Sequence, residues 1–388
     1  MKQTRCYCIF AAQYLPHMGG VERYTYNLAK GLVQKGNEVT IITSNILGLP
    51  THEKTEGIEV YRLPAFDCLN GRYPLLKLNG EFWKIHRIIK TKQFDMVIVN
   101  TRFYLHSLYG MMIAKKQNVH CITIEHGTSH LSVHSKLLDF VGSIYEHMLT
   151  KIDCLFCKNY YGVSEACNEW LKHFHIKAKG VLYNSIDVFS IETMRAHLIP
   201  TYRQQYQIPS NAVVITFTGR LLKEKGLPSL LNVMDRICRE REDVYLFIAG
   251  DGDMQNEVDE RKTPHIIPLG RIDFEHIVAL LSESDIFCLP SFSEGFSTSI
   301  LEAAACGCYI LTTARGGAKE LLITDEYGSV IPNNEEEVLY SALLDVLENP
   351  TKREMAVKLT YERLKSVFTW TNVVEKVENI CEKTKEYL

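Results

Sequence analysis

The chain has 388 residues, 46% of them hydrophobic and 23% charged, and a net charge of -3. That length and apolar content suit two separate cores rather than one. No stretch approaches the roughly 18 consecutive apolar residues of a spanning helix, so a membrane contact, if there is one, is peripheral, and no nucleic-acid partner is expected. The near-neutral total conceals an asymmetry: residues 1–190 carry 22 Lys and Arg against 15 Asp and Glu, and the remainder 21 against 31. The split points to different partners for the two halves, with undirected drift of surface charge as the alternative. Twelve cysteines in so long a chain lack the density and spacing of a secreted disulfide scaffold. Cys154 and Cys157 form a single CxxC in a run, DCLFC, that reads as a buried strand, so a reducing cytoplasm is the expected setting.

In chain order, MKQTRCYCIFAAQY has a basic end and a short apolar run. Gln13 interrupts it too early for a signal peptide, and a first core strand is the better reading. Strands are predicted over Cys6 to Ala12, Val39 to Ser44, Met96 to Asn100, Val119 to Glu125 and Asp153 to Cys157, with helices over Val21 to Lys35, Phe82 to Thr91 and Leu105 to Lys116. The alternation restarts after residue 210. Strands there are Val213 to Thr218, Val244 to Gly250, Ile266 to Leu269, Ile286 to Pro290 and Tyr309 to Thr312, interleaved with helices Pro228 to Glu240, Phe274 to Ser282, Thr298 to Ala305 and Lys319 to Leu322. Alternation of this kind specifies a parallel sheet wrapped by helices, twice over. The expected fold class is therefore α/β, with two doubly wound Rossmann-like domains facing a cleft, residues 1–188 and 189–370. A last amphipathic helix over 371–388 is able to join the first.

Chemistry concentrates where strands end. Gly19-Gly20 follow the first strand and open a helix, which lets backbone N–H groups approach a ligand. Glu22, one turn in, is either an acceptor-side residue or an ordinary first-turn carboxylate. After a later strand comes Thr123-Ile124-Glu125-His126-Gly127-Thr128, which places His126 where open sheets bind ligands. His130 and His134 share a helical spacing with it, but a metal needs a third ligand that the sequence does not nominate. The second half opens on Phe217-Thr218-Gly219-Arg220-Leu221-Leu222-Lys223-Glu224-Lys225-Gly226. Here a strand delivers Gly219 and Arg220, and Lys225 precedes a helix. Two cations beside a bend suit a diphosphate, a solvated basic turn being the alternative. Asp251-Gly252-Asp253 imitates a metal-binding DxD but reads as a structural turn. The loop through Gly270 to Ile272 offers backbone to a base edge.

The most informative stretch is SDIFCLPSFSEGFSTSILEAAACGCYILTTARGGAKE, from Ser284 to Glu320. A strand leads through a polar turn holding Glu294, Gly295 and Phe296 to a helix start rich in hydroxyls, Ser297, Thr298 and Ser299, with Glu302 inside the helix. Free N–H groups and the positive dipole end favour a phosphate there. Eight helical residues span roughly 12 Å, enough for one carboxylate at each end of a ligand built around a diphosphate. A dinucleotide oxidoreductase would need G-x-G-x-x-G after a strand, which is absent. An epimerase or phosphorylase on the same fold, or a sugar-binding module without activity, remain as other readings.

Taken with VSEACNEWL, LYNSID, TGRLLKEKG, IAGDGD, LGRI and GGAKEL, the chain resembles retaining glycosyltransferases of the GT-B fold, the glycosyl group 1 type of family 4. The resemblance implies that Glu294 contacts the donor sugar and Glu302 the ribose, that Arg220 and Lys225 bind the diphosphate, and that His126 lies near the reacting sugar. Catalytic roles thus fall to His126, Glu294, Arg220 and Lys225. The donor set adds Gly19, Gly20, Gly219, Ile272, Gly295, Phe296, Ser297, Thr298 and Glu302. Ser185 and Ser297 replace glycines usual in the family. The implied reaction is transfer with retention, without a metal or other cofactor, from a nucleotide-sugar donor, UDP-linked by family frequency. The acceptor is a glycan or a polyprenyl-diphosphate-linked oligosaccharide in surface polysaccharide biosynthesis. A basic, aromatic set (Arg72, Tyr73, Lys77, Phe82, Trp83, Lys84, Arg87, Lys90 and Lys92) would rest on an anionic inner membrane face, or else form a solvated helix surface.

Overall fold

The computed structural model describes residues 4–17, 19–69, 73–131, 135–198 and 201–385, so Arg72 and His134 lie outside it. The chain separates into two compact units, Met1–Asn184 with Trp370–Leu388, and Ser185–Thr369. The first is built on β1 (Cys6–Ala11), β2 (Glu38–Asn45), β3 (His52–Thr55), β4 (Ile58–Phe66), β5 (Leu75–Leu76), β6 (Met96–Asn100), β7 (His120–Glu125), β8 (Tyr160–Gly162) and β9 (Gly180–Val181). Its order is β3-β4-β2-β1-β6-β7-β8-β9, with β5 paired to β4. Only β3 and β5 run antiparallel, both against β4. The helices are α1 (Gly20–Gln34), α2 (Gly80–Thr91), α3 (Leu105–Gln117), α4 (Lys136–Asp153) and α5 (Glu165–Lys172). The central strands read as unbroken apolar runs because helices cover both faces of a parallel sheet. Tyr7 to Ala11 and Met96 to Val99 are accordingly buried along their whole length.

The second unit begins with α6 (Val188–His197) and α7 (Tyr202–Gln205). Its strands are β10 (Val213–Thr218), β11 (Val244–Ala249), β12 (Ile266–Gly270), β13 (Ile286–Leu289), β14 (Tyr309–Thr313) and β15 (Ser329–Ile331), in the order β12-β11-β10-β13-β14-β15. Every pairing is parallel. Around it lie α8 (Leu227–Glu240), α9 (Gln255–Glu260), α10 (Phe274–Ser282), α11 (Thr298–Cys306), α12 (Ala318–Leu321), α13 (Glu336–Glu348) and α14 (Pro350–Val367). The final helix, α15 (Trp370–Lys385), returns to the first unit. Val374 fills the space above Gly31 of α1, and Asn37 Nδ2 donates to Glu378 Oε1 at 3.0 Å.

Two expectations from sequence are overturned locally. Asp153 to Cys157 is not a strand: α4 runs through Asp153, residues 154–156 turn, and the strand comes later as β8. α4 hides itself from pattern reading because its buried side includes Glu146, Thr150 and Asp153 while many of its apolar residues face out. The span of roughly 12 Å over eight helical residues between the carboxylates is the second, although Glu294 lies in the turn and the helix starts at Thr298 as expected. Only Thr298 onward is helical, so helix rise accounts for about 6 Å between Thr298 and Glu302, and a loop supplies the rest.

Candidate functional site

In an open parallel sheet, ligands sit beyond the carboxyl ends of the strands where the strand order reverses. In the second unit that point lies between β10 and β13. The loop after β10 carries Gly219, Arg220 and Lys225, and the loop after β13 carries Glu294 through Ser297. Gly226 is why the two loops touch: its φ is +74°, and a Cβ there would lie 1.9 Å from the Pro290 carbonyl oxygen. Phe292 N–H then donates to the Glu224 carbonyl at 2.8 Å. Across this seam Lys225 Nζ forms an ion pair with Glu294 Oε1, which also accepts from Ser291 Oγ at 3.0 Å. Arg220 is exposed, and its guanidinium enters no ion pair among the described residues. Gly219, at φ +146°, has no atom within 4 Å of an added Cβ, leaving its backbone open.

The start of α11 faces the same point. Ser297 is the N-cap in extended conformation, φ -73° and ψ 120°, and its side chain accepts no capping hydrogen bond. The first N–H groups of α11, on Thr298 and Ser299, are therefore not closed by that residue and keep the positive end of the helix available to an anion. Beyond them Ile300 to Cys306, including Glu302, are buried, which fixes the helix against the sheet. Phe296 anchors the loop rather than lining it: it is buried, packs at a tilt on Phe368 with ring centroids 5.3 Å apart, and occupies the space a Cβ on Gly317 would need. Gly317 N–H donates to the Gly295 carbonyl at 3.1 Å, so the GGAKE segment braces the Glu294 loop. Ile272 follows β12, two strands from the reversal, and packs against the core cluster of Phe247 and Ile267. Asp251-Gly252-Asp253 is a turn whose Asp251 carbonyl accepts from Leu221 N–H at 2.7 Å, and Gly252 permits that closeness.

In the first unit the order reverses between β1 and β6. Gly19 is the N-cap of α1, and a Cβ on it would lie 2.5 Å from Glu22 Oε2. Glu22 accepts from the backbone N–H of Gly19 and from its own, and burial pushes its carboxyl above the usual range. It closes the helix start as a capping box does. The start of α1 thus already has its anion, with open space beside Gly20, whereas the Ser297 side chain does not cap the start of α11.

His126 follows β7, and its protonation state can be traced bond by bond. Thr25 Oγ1 donates to the Val21 carbonyl at 2.8 Å, Asn100 Nδ2 donates to Thr25 Oγ1 at 2.7 Å, and so Asn100 Oδ1 accepts from His126 Nε2 at 3.1 Å. Burial pushes the imidazole down to about 3, so it is neutral, with Nε2 protonated and Nδ1 an acceptor. Tyr24 holds the ring edge-on at 4.8 Å.

Sequence reasoning missed the groups that hold this loop. Arg102, 1% exposed, pairs with Glu125 and, at 3.2 Å, with Glu146, and lies 3.8 Å over the Phe174 ring. Glu125 Oε1 accepts from the N–H groups of His126 and Gly127, each at 3.0 Å. The signal was present: Arg102 and Glu125 leave adjacent strands whose register pairs Asn100 with Ile124, placing opposite charges side by side. His130 meets His147 and His173, whose ring nitrogens lie within 4.8 Å of one another. The further ligands missing from sequence thus come from α4 and the end of α5.

The basic, aromatic set divides. Phe82 belongs to the core, Lys92 pairs with Glu59, and Tyr73 packs on Tyr145, while Trp83, Lys84, Arg87 and Lys90 are exposed. A larger apolar surface lies on α4 and just beyond it: Leu137 is 72% exposed, Phe140 65% and Leu155 68%, with Val141, Ile144 and Met148 also exposed between them. Lys136, Lys151, Lys158, Lys115 and Lys116 are exposed around it. No helix among the described residues is long and apolar enough to cross a membrane.

Comparison with known proteins extends these observations. A family profile described as "Glycosyl transferases group 1" matches residues 199–363, and one described as "Glycosyltransferase Family 4" matches 18–188. An uncharacterised glycosyltransferase of Methanocaldococcus jannaschii is 25% identical over 396 residues, covering 97% of each chain. The gpi3 subunit of phosphatidylinositol N-acetylglucosaminyltransferase from Schizosaccharomyces pombe is 24% identical over 401 residues, 95% of this chain and 78% of its own. Among solved structures, sucrose-phosphate synthase from Thermosynechococcus elongatus superposes with a TM-score of 0.76 at 17% identity over the full length of both chains. Anabaena HepE in complex with UDP-glucose gives 0.71 at 17% identity, over 99% of this chain and 100% of its own.

Proposed function

The chain belongs to the group 1, family 4 glycosyltransferases with the GT-B fold, and from that premise we propose that it moves a sugar, with retention of configuration, from a UDP-sugar to a hydroxyl of a glycan or polyprenyl-diphosphate-linked acceptor. The observation that carries this reading is the gathering of Arg220, Lys225, Glu294 and the α11 start at the strand-order reversal of the second unit. HepE, a similar structure, is described in complex with UDP and with UDP-glucose, and this supports the choice of donor.

The departing diphosphate builds negative charge as the glycosidic bond breaks. Lys225, Arg220 and the N–H groups of Thr298 and Ser299 meet that charge, and the proposed transfer uses no metal. In the free protein Lys225 is held by Glu294. When a diphosphate draws the ammonium away, the carboxylate is released to accept from a hydroxyl of the sugar. Glu302, buried in α11, serves the ribose end. The neutral His126, with Nδ1 free to accept, serves the sugar being transferred. The acceptor hydroxyl attacks from the face the diphosphate leaves, and the departing phosphate takes its proton.

Isothermal titration with UDP, GDP and ADP tests the donor site directly. UDP binds in the micromolar range and Glu302→Ala weakens it by about tenfold, the loss of one good hydrogen-bonded contact. Absence of binding by all three nucleotides contradicts the reading.

The acceptor reading rests on the apolar face of α4 and its ring of lysines, a combination that suits the cytoplasmic surface of an anionic membrane. Vesicles rich in phosphatidylglycerol retain the protein at low salt several-fold better than phosphatidylcholine vesicles, by about 1 kcal/mol per engaged lysine. The double variant Leu137→Ser, Phe140→Ser loses that retention. Equal sedimentation with both lipids rules out an anionic membrane as the docking surface.

A further inference from the structure

Three imidazoles from three separate parts of the first unit converge at one place. His130 comes from the loop before α4, His147 from α4 itself, and His173 from the C-cap of α5. Their ring centroids are 5.4, 5.3 and 4.9 Å apart, and each offers a ring nitrogen within 4.8 Å of the other two. The His173 ring lies flat on Trp170, 4.9 Å away with 11° between planes, so one wall of the group is aromatic.

Their hydrogen bonds settle which nitrogen is available on two of them. His147 Nδ1 contacts the Ser143 carbonyl at 2.8 Å, and since a carbonyl only accepts, Nδ1 carries the proton and Nε2 the lone pair. His130 Nδ1 contacts Glu146 Oε2 at 2.9 Å, so it too is protonated at Nδ1, and its Nε2 accepts from Ser143 Oγ at 3.1 Å. One imidazole backed by a carboxylate and another by a main-chain carbonyl, each with its lone pair on Nε2, is the outer-shell arrangement that orients histidine ligands toward a metal, and on His130 the cation takes the place of the Ser143 hydroxyl.

We propose that His130, His147 and His173 bind a divalent transition cation of the zinc class, with solvent completing a tetrahedral shell. Imidazole donors favour Zn²⁺ or Co²⁺ over Mg²⁺ and Ca²⁺. Ligand nitrogens about 2.0–2.1 Å from a tetrahedral zinc stand roughly 3.3 Å apart. The observed spacing therefore closes by at most about 1.5 Å, within reach of side-chain rotation at His173, which is exposed at the end of its helix. The site is separate from the nucleotide chemistry. It ties α4 and the end of α5 to the loop that follows β7, through the same Glu146 that holds Arg102 and the Leu131 N–H. Arg102 in turn holds Glu125, whose other oxygen accepts from the His126 N–H. The cation is thus a brace for the segment that carries His126, not a participant in transfer.

The test uses the full chain without a histidine tag, stripped with chelator and reloaded with Zn²⁺ or Co²⁺. Wild type retains one equivalent per chain by elemental analysis, and the cobalt form shows the intense visible d–d absorption of tetrahedral coordination. His173→Gln, at an exposed position that leaves the fold intact by circular dichroism, lowers zinc affinity by at least ~10-fold and loses that spectrum. His147→Gln does the same. UDP titration of these variants matches wild type. Retention of no metal by wild type, or equal zinc affinity across wild type and both variants, overturns the proposal.

Discussion

Lys225→Ala lowers kcat by about 10²–10³-fold, or ~3–4 kcal/mol of transition-state stabilisation, the usual loss when a fixed group facing developing negative charge is removed. The side chain is well placed for that role because it is neither fully buried nor free: it is 19% exposed and bound to a carboxylate that is 12% exposed. An ammonium so placed is oriented before the donor arrives, and its counter-ion is displaced by a diphosphate carrying more charge. Glu294→Ala lowers transfer to a similar degree by a different route, since it releases the ammonium and removes the acceptor for the sugar. If the two act as one unit, the double variant is no slower than the worse single one, as groups sharing a step are non-additive. Loss of the ion pair costs about 1–2 kcal/mol of stability at this partial burial, so both variants stay folded at room temperature. Turnover of Lys225→Ala near the wild-type value, with UDP binding intact, contradicts the assignment.

Arg102→Met destabilises the first unit by about 3–5 kcal/mol, because it leaves Glu125 and Glu146 buried without their cation. Burial already pushes Asp153 up to about 8, and the Arg102 guanidinium is what opposes that rise. In the variant the Asp153 carboxyl loses that opposition and is raised further above its unfolded value. Groups raised in this way favour the folded state at low pH and lose that contribution as pH rises through the folded value. The deficit of Arg102→Met relative to wild type is therefore smaller near pH 5 than near pH 8, by chemical denaturation. A deficit independent of pH would assign the loss to packing against Phe174 instead. Because Glu125 accepts from the His126 N–H, the variant also slows transfer while UDP binding by the second unit is unchanged.

Much of the architecture was readable because parallel strands buried on both faces are short apolar runs with polar ends. Val213–Thr218, Met96–Asn100 and Phe274–Ser282 fall where the pattern puts them, and most other elements match within a residue or two. The failures at α4 and Arg102 have one physical origin. Pattern reading assumes that apolar residues point inward, and α4 inverts this: Glu146 and Asp153 are buried while Leu137 and Phe140 are exposed. The run DCLFC then looked like a strand because it straddles the end of that helix. The same assumption hid Arg102, a charge with about 1% of its side chain exposed, and with it the support of His126. The site loops of the second unit were legible for the opposite reason. Their glycines and charges follow directly on strand ends, and the positive φ of Gly226, whose Cβ would meet the Pro290 carbonyl, is what brings the two loops together.

The central claim is that the point between β10 and β13 holds the diphosphate of a nucleotide sugar whose sugar is transferred with retention. The most direct measurement follows UDP release from a panel of UDP-sugars in the presence of membrane-extracted acceptors, with the anomeric proton of the product read by NMR. The expected result is release from at least one donor, a product with the anomeric configuration of that donor, and a rate that Lys225→Ala reduces by about 10²-fold or more. An inverted product, or release that Lys225→Ala leaves unchanged, contradicts it.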